Sequence, residues 1–170
     1  MPQSRRQQIL EILINTPEPV KGGKLSEILG VSRQIIVQDI ALLRAEGESI
    51  VATPQGYLLL NNSAHVAKQS RIFACQHDSK GMAEELTIIV DNGGKVLDVI
   101  VEHPLYGELK GNLMLEKHSD VQQFLENMKL SKAEPLSALT KGIHLHTIEA
   151  PSQGVLDKIH QELNKAGFLA

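Results

Sequence analysis

The segment Leu25-Ser-Glu-Ile-Leu-Gly-Val-Ser-Arg-Gln-Ile-Ile-Val-Gln-Asp-Ile40 constrains this chain more than any other. Leu25, Ile28 and Leu29 recur at helical spacing and stop at Gly30, the residue type that closes a helix in the left-handed conformation. Ser32 then caps a third helix, with Ile36, Ile40 and Leu43 on one face and Gly47 as its stop. Two helices joined by a tight Gly-containing turn form a helix-turn-helix, which lays the N-terminal residues of its second helix against the DNA major groove. Here those residues are Ser32, Arg33, Gln34, Val37 and Gln38. Arg and Gln can read guanine and adenine edges bidentately, and a Ser hydroxyl can hold a phosphate. Ile35 and Val37 make this helix unusually apolar, which suits contact with thymine methyls or with a dimer partner.

The flanks extend the motif. Ser4 and Gln7 have the form of a capping box opening a first helix through Ile9, Leu10, Leu13 and Ile14, ended by Pro17 and Pro19. A second helix is expected from Gly22 or Gly23 to Leu29. Ser49 to Leu60 reads as two short strands around a Pro54/Gly56 turn, a hairpin in the position of a wing. Helical periodicity alone would equally suit a small protein-binding bundle; the turn string and the hairpin together point to DNA. Charge adds little. Residues 1–60 hold six Lys/Arg and six Asp/Glu, although Arg5, Arg6, Lys21, Lys24 and Arg33 offer material for a basic face.

The formal net charge of −3 argues against non-specific coating of nucleic acid. No apolar run reaches the roughly 20 residues of a membrane span. Arg5 and Arg6 before an apolar run resemble a signal peptide only superficially, because Glu11 interrupts the run and no cleavage site follows. Cys75 is the single cysteine, so no internal disulfide can form, and a reducing, cytoplasmic location is expected.

Asn61-Asn62-Ser63 is the natural break between a domain of residues 1–62 and one of residues 63–170. Beyond it, Ile72–Gln76, Val96–Val101, Gly107–Leu115 and Ile143–Ile148 read as strands. Helices are expected from Ser79, as cap, to Val90, from Asp120 to Met128 and from Gly154 to Ala166. The order β-α-β-β-α-β-α describes an α+β sandwich with helices on one face of a sheet; its first six elements follow the ferredoxin-like order.

Of seven histidines, His144 and His146 matter most. One residue apart on a strand, their imidazoles share a face and can chelate one metal ion. His77 could join them, as could Glu84 or Glu85, giving a site suited to Zn, Ni or Fe. A His-x-His pair is also common on a plain polar strand face. Cys75 reads as a buried thiol, and His118 and His160 as solvated helix residues.

Taken together, Val101-Glu-His-Pro-Leu-Tyr-Gly-Glu108, Pro135-Leu-Ser-Ala-Leu-Thr-Lys-Gly-Ile-His-Leu-His-Thr147 and His77 with Glu85 resemble the three-histidine (3H) domain. With the N-terminal motif, residues 5 to 170 are similar to the niacin-responsive repressors (NiaR type) of Gram-positive bacteria. A homodimer on operator DNA is expected from the reading mode of the helix-turn-helix. The resemblance implies a repressor of genes of NAD synthesis or niacin uptake, with nicotinic acid as co-repressor. By motif register it implies the metal ligands His77, Glu85, His144 and His146, with His103 and Tyr106 in the co-repressor pocket. Related sequences often carry Thr and Arg where this chain has Ile35 and Gln38, so the operator sequence does not transfer. The rival readings are a purely metal-responsive repressor and a metal-dependent hydrolase fused to a DNA-binding domain. The hydrolase lacks a second constellation supplying an acid or base, so no enzyme is expected.

Overall fold

The computed structural model describes residues 2–60 and 68–170, so the Asn61–Ser63 break and His65 lie outside the described residues. The chain divides into two compact units, Met1–Ala64 and His65–Ala170.

The first unit contains helices α1 (Pro2–Asn15), α2 (Gly22–Leu29) and α3 (Arg33–Ala45), then the hairpin β1 (Ile50–Thr53) and β2 (Gly56–Leu59). The turn between α2 and α3 forms as its residue types dictate. Gly30 takes φ 63°, ψ 34°, and the Ser32 hydroxyl accepts the Ile35 N–H at 3.3 Å. α1 begins earlier than expected. Pro2 occupies its first position, where a missing N–H costs nothing, so Ser4 lies inside the helix and does not cap it. Ile9, Leu13, Leu25, Ile36, Ile40 and Leu43 form the core, with Val20 and Ile50 joining the hairpin to it.

The second unit runs β3 (Gln69–Gln76), α4 (Met82–Asp91), β4 (Lys95–His103), β5 (Gly107–Leu115), α5 (His118–Ser131), β6 (Ile143–Ala150) and α6 (Gln153–Lys165). The sheet order is β3-β6-β4-β5 with every neighbouring pair antiparallel. β3 and β4 therefore run parallel without touching, and β6 fills the space between them. One face of the sheet buries Phe73, Cys75, Val96, Leu113, Leu115 and Ile148 against Leu86, Ile89, Val121, Leu156, Ile159 and Leu163 of the three helices. Alternation along β6 sets its even-numbered residues, His144, His146, Ile148 and Ala150, into this buried layer. The entry into α4 departs from expectation. A single 3-10 turn, Ser79–Gly81, precedes it, and the cap is Asp78, whose carboxylate accepts the Lys80 and Gly81 N–H groups. A second 3-10 turn, Leu136–Thr140, leads into β6.

Candidate metal centre and DNA-reading surface

In the first unit, α3 buries Ile36, Ile40 and Leu43 and leaves Ser32, Arg33, Gln34, Val37 and Gln38 exposed. The exposed row is the one a groove would meet, because the helix period places it opposite the buried stripe. Ile35 is half-buried, while Val37 stands in solvent. Two of the five candidate basic residues are committed elsewhere. Arg5 grips the buried Asp39 of α3 at 2.5 and 3.2 Å, and Arg6 pairs with Glu46 at 3.3 Å. Lys21, Lys24 and Arg33 form no ion pair among the described residues and line one hollow beside the hairpin.

In the second unit, β3, α4 and β6 bring His77, Glu85, His144 and His146 into one cluster. His77 Nε2 stands 2.5 Å from Glu85 Oε2; His144 Nε2 and His146 Nε2 stand 3.1 and 3.4 Å from Glu85 Oε1. Glu85, His144 and His146 are buried, and the His77 side chain is only 7% exposed. Between the two carboxylates left open by spacing, α4 turns Glu85 inward and leaves Glu84 in solvent.

The opposite edge of each imidazole is committed as well. Nδ1 of His77, His144 and His146 donates to the carbonyls of Asp78, Gly142 and Asp98 at 2.6, 2.8 and 2.6 Å. With its proton on Nδ1, a neutral ring presents a lone pair at Nε2. Three such lone pairs and a carboxylate then face one another, an arrangement that repels itself until a cation or extra protons enter. Protons show the same demand. The hydrogen bond that His77 Nε2 donates to the Glu85 carboxylate raises the pKa of His77 against the effect of burial. Burial works to lower that of His146, and Glu85 more than reverses it. For Glu85 itself burial acts upward, but the bonds from His144, His146 and His77 hold it well below the usual carboxylate range. Nitrogen and carboxylate donors with carbonyl-anchored rings are the chemistry of a divalent transition-metal site, and the residues fit one.

Several supporting groups escape sequence reasoning. Gly142, at φ 90°, lets its strand lie against His77; its carbonyl takes the His144 ring and also accepts the His77 N–H at 3.4 Å. Asp98 sits in β4 where the register shifts, and this irregularity aims its carbonyl at His146 and its carboxylate at the Thr147 N–H, 2.9 Å away. A charged residue inside Val96-Leu-Asp-Val-Ile-Val101 was the one available signal. Cys75 is fully buried opposite His144, and its sulfur, Glu85 and His144 offer ligand atoms within 4.8 Å of one another. Burial, with Glu85 nearby, pushes this thiol far up, so it is a packed neighbour of the cluster in its protonated form.

His103 and Tyr106 lie at the β4–β5 hairpin, and no described contact joins them to the cluster. Their rings are 5.1 Å apart, and His103 Nδ1 accepts the Leu105 and Tyr106 N–H groups. His118 is exposed, 3.3 Å from Asp91, and His160 is exposed on α6.

Fold and site define a class: a DNA-binding regulator in which a helix-turn-helix precedes an α+β domain with a buried histidine–carboxylate cluster. Residues 5–58 match an HTH domain family and residues 70–170 match the 3H domain. Two relatives match nearly end to end. The "Probable transcription repressor NiaR" of Thermotoga maritima is 48% identical over 167 residues, covering 98% of this chain and 94% of that protein. The "Transcription repressor NadR" of Bacillus subtilis is 42% identical over 170 residues, covering 99% and 94%. This chain belongs to the NiaR-type family of transcription repressors with an HTH and a 3H domain. It is a regulator rather than an enzyme.

Proposed function

We propose that the protein represses genes of NAD synthesis or niacin uptake, with nicotinic acid as co-repressor, and that its 3H domain holds a divalent metal through His77, Glu85, His144 and His146. The observation that carries this reading is the convergence of three imidazole Nε2 atoms on one buried carboxylate, each ring fixed from behind by a backbone carbonyl. The donors suit Zn, Ni or Fe. Such an ion supplies a Lewis-acidic position at which a carboxylate ligand can bind.

The residues divide the work. Asp78, Gly142 and Asp98 hold the rings in one tautomer, and the sheet and α4 bury Glu85, His144 and His146 while His77 keeps an edge at the surface. His103 and Tyr106 are assigned to the co-repressor. Because His103 Nδ1 accepts two N–H groups, its neutral ring carries the proton on Nε2, a hydrogen-bond donor for the co-repressor. Residues 1–62 carry the DNA-binding role and residues 63–170 the sensing role. A homodimer places two α3 helices on half-sites about 34 Å apart, or a multiple of that. Nicotinate shifts the population toward the dimer arrangement that matches this spacing. A lone buried thiol is compatible with a cytoplasmic repressor.

Thermal melting with and without Zn²⁺, chelator and nicotinate tests the proposal. A ligand at about a hundred times its Kd adds roughly 2.7 kcal/mol to stability. Nicotinate is expected to raise the Tm only when metal is present. A nicotinate shift that survives chelation sinks the metal's role, and a metal shift with none from nicotinate leaves a purely metal-responsive repressor.

A further inference from the structure

The segment Gly167–Ala170, which follows α6, lies against the least covered donor of the histidine cluster. Local chemistry sends it there. Gly167, at φ 77°, donates its N–H to the Asn164 carbonyl at 3.1 Å, and the Phe168 N–H reaches the Leu163 carbonyl at 3.0 Å. These two bonds are the Schellman closure of a helix, and the left-handed glycine turns the chain back on itself. The segment then runs antiparallel along β3, an edge strand of the sheet. The Gln76 N–H donates to the Phe168 carbonyl at 2.8 Å and the Ala170 N–H to the Ala74 carbonyl at 2.9 Å, with Leu169 opposite Cys75. This register sets the buried Phe168 beside His77, their ring centroids 5.2 Å apart and their planes at 69°.

The cluster meets the surface through His77, because the side chains of Glu85, His144 and His146 are covered more fully. Three pieces of chain lie against His77. The 3-10 turn presses Gly81 onto the ring, where an added Cβ would stand 2.9 Å from Cγ. Gly142 lies on its backbone carbonyl. Phe168 packs on the ring. The first two cannot withdraw without carrying a candidate ligand along: Gly81 leads straight into α4 and Glu85, and Gly142 lies just before His144 in β6. The segment 167–170 carries no ligand. What holds it down is two backbone hydrogen bonds, the Phe168 ring and the partly buried Leu169. A piece held by so few contacts can open locally while the rest stays folded.

We infer that Gly167–Ala170 is a gate on the metal centre: it swings off β3 about Gly167 to admit or release the ion, and Phe168 is the residue that closes it. Gly167 suits a hinge, since it is exposed, ends an element, and a Cβ there would meet nothing within 4 Å. A gate acts on rates. It slows entry and exit alike and leaves the balance between bound and free ion nearly untouched, because the empty and loaded sites are closed by the same contacts. The gate rests on the metal-binding reading above and adds the route by which the ion arrives.

The test follows Zn²⁺ in the full chain by stopped flow. Uptake is read from a fluorescent zinc indicator, and release by mixing loaded protein with excess chelator. Phe168→Ala and Gly167→Ala are each expected to speed uptake and release together, on the order of tenfold, with the Kd unchanged within about threefold. Phe168→Leu, which keeps an apolar plug, should stay near the wild type in both rates. Gly93→Ala places similar backbone strain, at φ 94°, beyond the far end of α4 and should change neither rate. Release that quickens in Phe168→Ala while uptake stays as in the wild type, with affinity lost in proportion, overturns the gate: Phe168 then only props His77. Unchanged rates in either folded variant overturn it as well, as does equal acceleration in Gly93→Ala. Gly167→Ala removes no side-chain contact, so it decides the matter even where circular dichroism shows Phe168→Ala to be misfolded. Failure of the unmodified protein to bind Zn²⁺ overturns the gate and the metal-binding reading together.

Discussion

Replacing Gly142 by alanine should disable the metal centre without touching a ligand. The new Cβ would fall on the carbonyl oxygen of His77 and lie 3.0 Å from its carbonyl carbon. Unstrained non-bonded carbon contacts lie near 3.5–4.0 Å, so the two segments must part by roughly 1 Å. His77 cannot follow that movement and keep its ring 2.5 Å from Glu85, and the Gly142 carbonyl can no longer hold the His144 ring at 2.8 Å. Loss of such outer contacts lowers metal affinity about 10- to 100-fold, which corresponds to roughly 1.4–2.8 kcal/mol. The left-handed backbone adds about 1–3 kcal/mol of strain to the metal-free protein. Gly93→Ala separates the two effects. Its φ of 94° imposes similar strain, but its Cβ meets only Val155 at an ordinary 3.5 Å. Competition titration of Zn²⁺ against a chromophoric chelator should show a large loss for Gly142→Ala and none for Gly93→Ala. Equal affinity in Gly142→Ala and wild type, or equal loss in both variants, refutes the reasoning.

Other expectations follow from single contacts. Asp98→Asn keeps the carbonyl that holds His146 but weakens the bond to Thr147 N–H and the 3.4 Å contact with Lys110; the same titration should show about a tenfold loss of zinc affinity. Gln38→Ala should cost about 1–3 kcal/mol at one operator base pair and relax preference there, read by selection from a random duplex pool, with the salt slope unchanged. Leu43→Ala empties a position only 2% exposed in the first unit's core; denaturant unfolding should show a loss of about 2–5 kcal/mol. Cys75, fully buried with a raised pKa, should resist iodoacetamide until the chain is unfolded, as followed by mass spectrometry.

Local grammar made the first unit readable. Gly30 and Ser32 write the turn between α2 and α3 within three residues, and each acts on its own neighbours. The same locality failed at two helix starts. Proline at a first helical position took precedence over Ser4, and Asp78 reached the free N–H groups in place of Ser79. In the second unit, period two placed His144 and His146 on one face without help. The choice of Glu85 over Glu84 came from family likeness, and the inward turn of α4 gives it a physical basis. Strand order was illegible because it is non-local: nothing in β6 announces that it lies between β3 and β4. Gly142 and Asp98 were missed for the same reason. Their roles depend on His77, 65 residues earlier, and on His146, 48 residues later, brought close only by the finished sheet.

The central claim is that one chain couples nicotinate at a metal-holding 3H domain to operator binding. Its most direct test measures the affinity of the full protein for an operator selected from a random pool, in four conditions: with and without Zn²⁺, each with and without nicotinate. A coupling of about 1–3 kcal/mol predicts that nicotinate tightens binding roughly 5- to 150-fold when metal is present and has no effect after chelation. The same operator affinity in all four conditions would contradict the account.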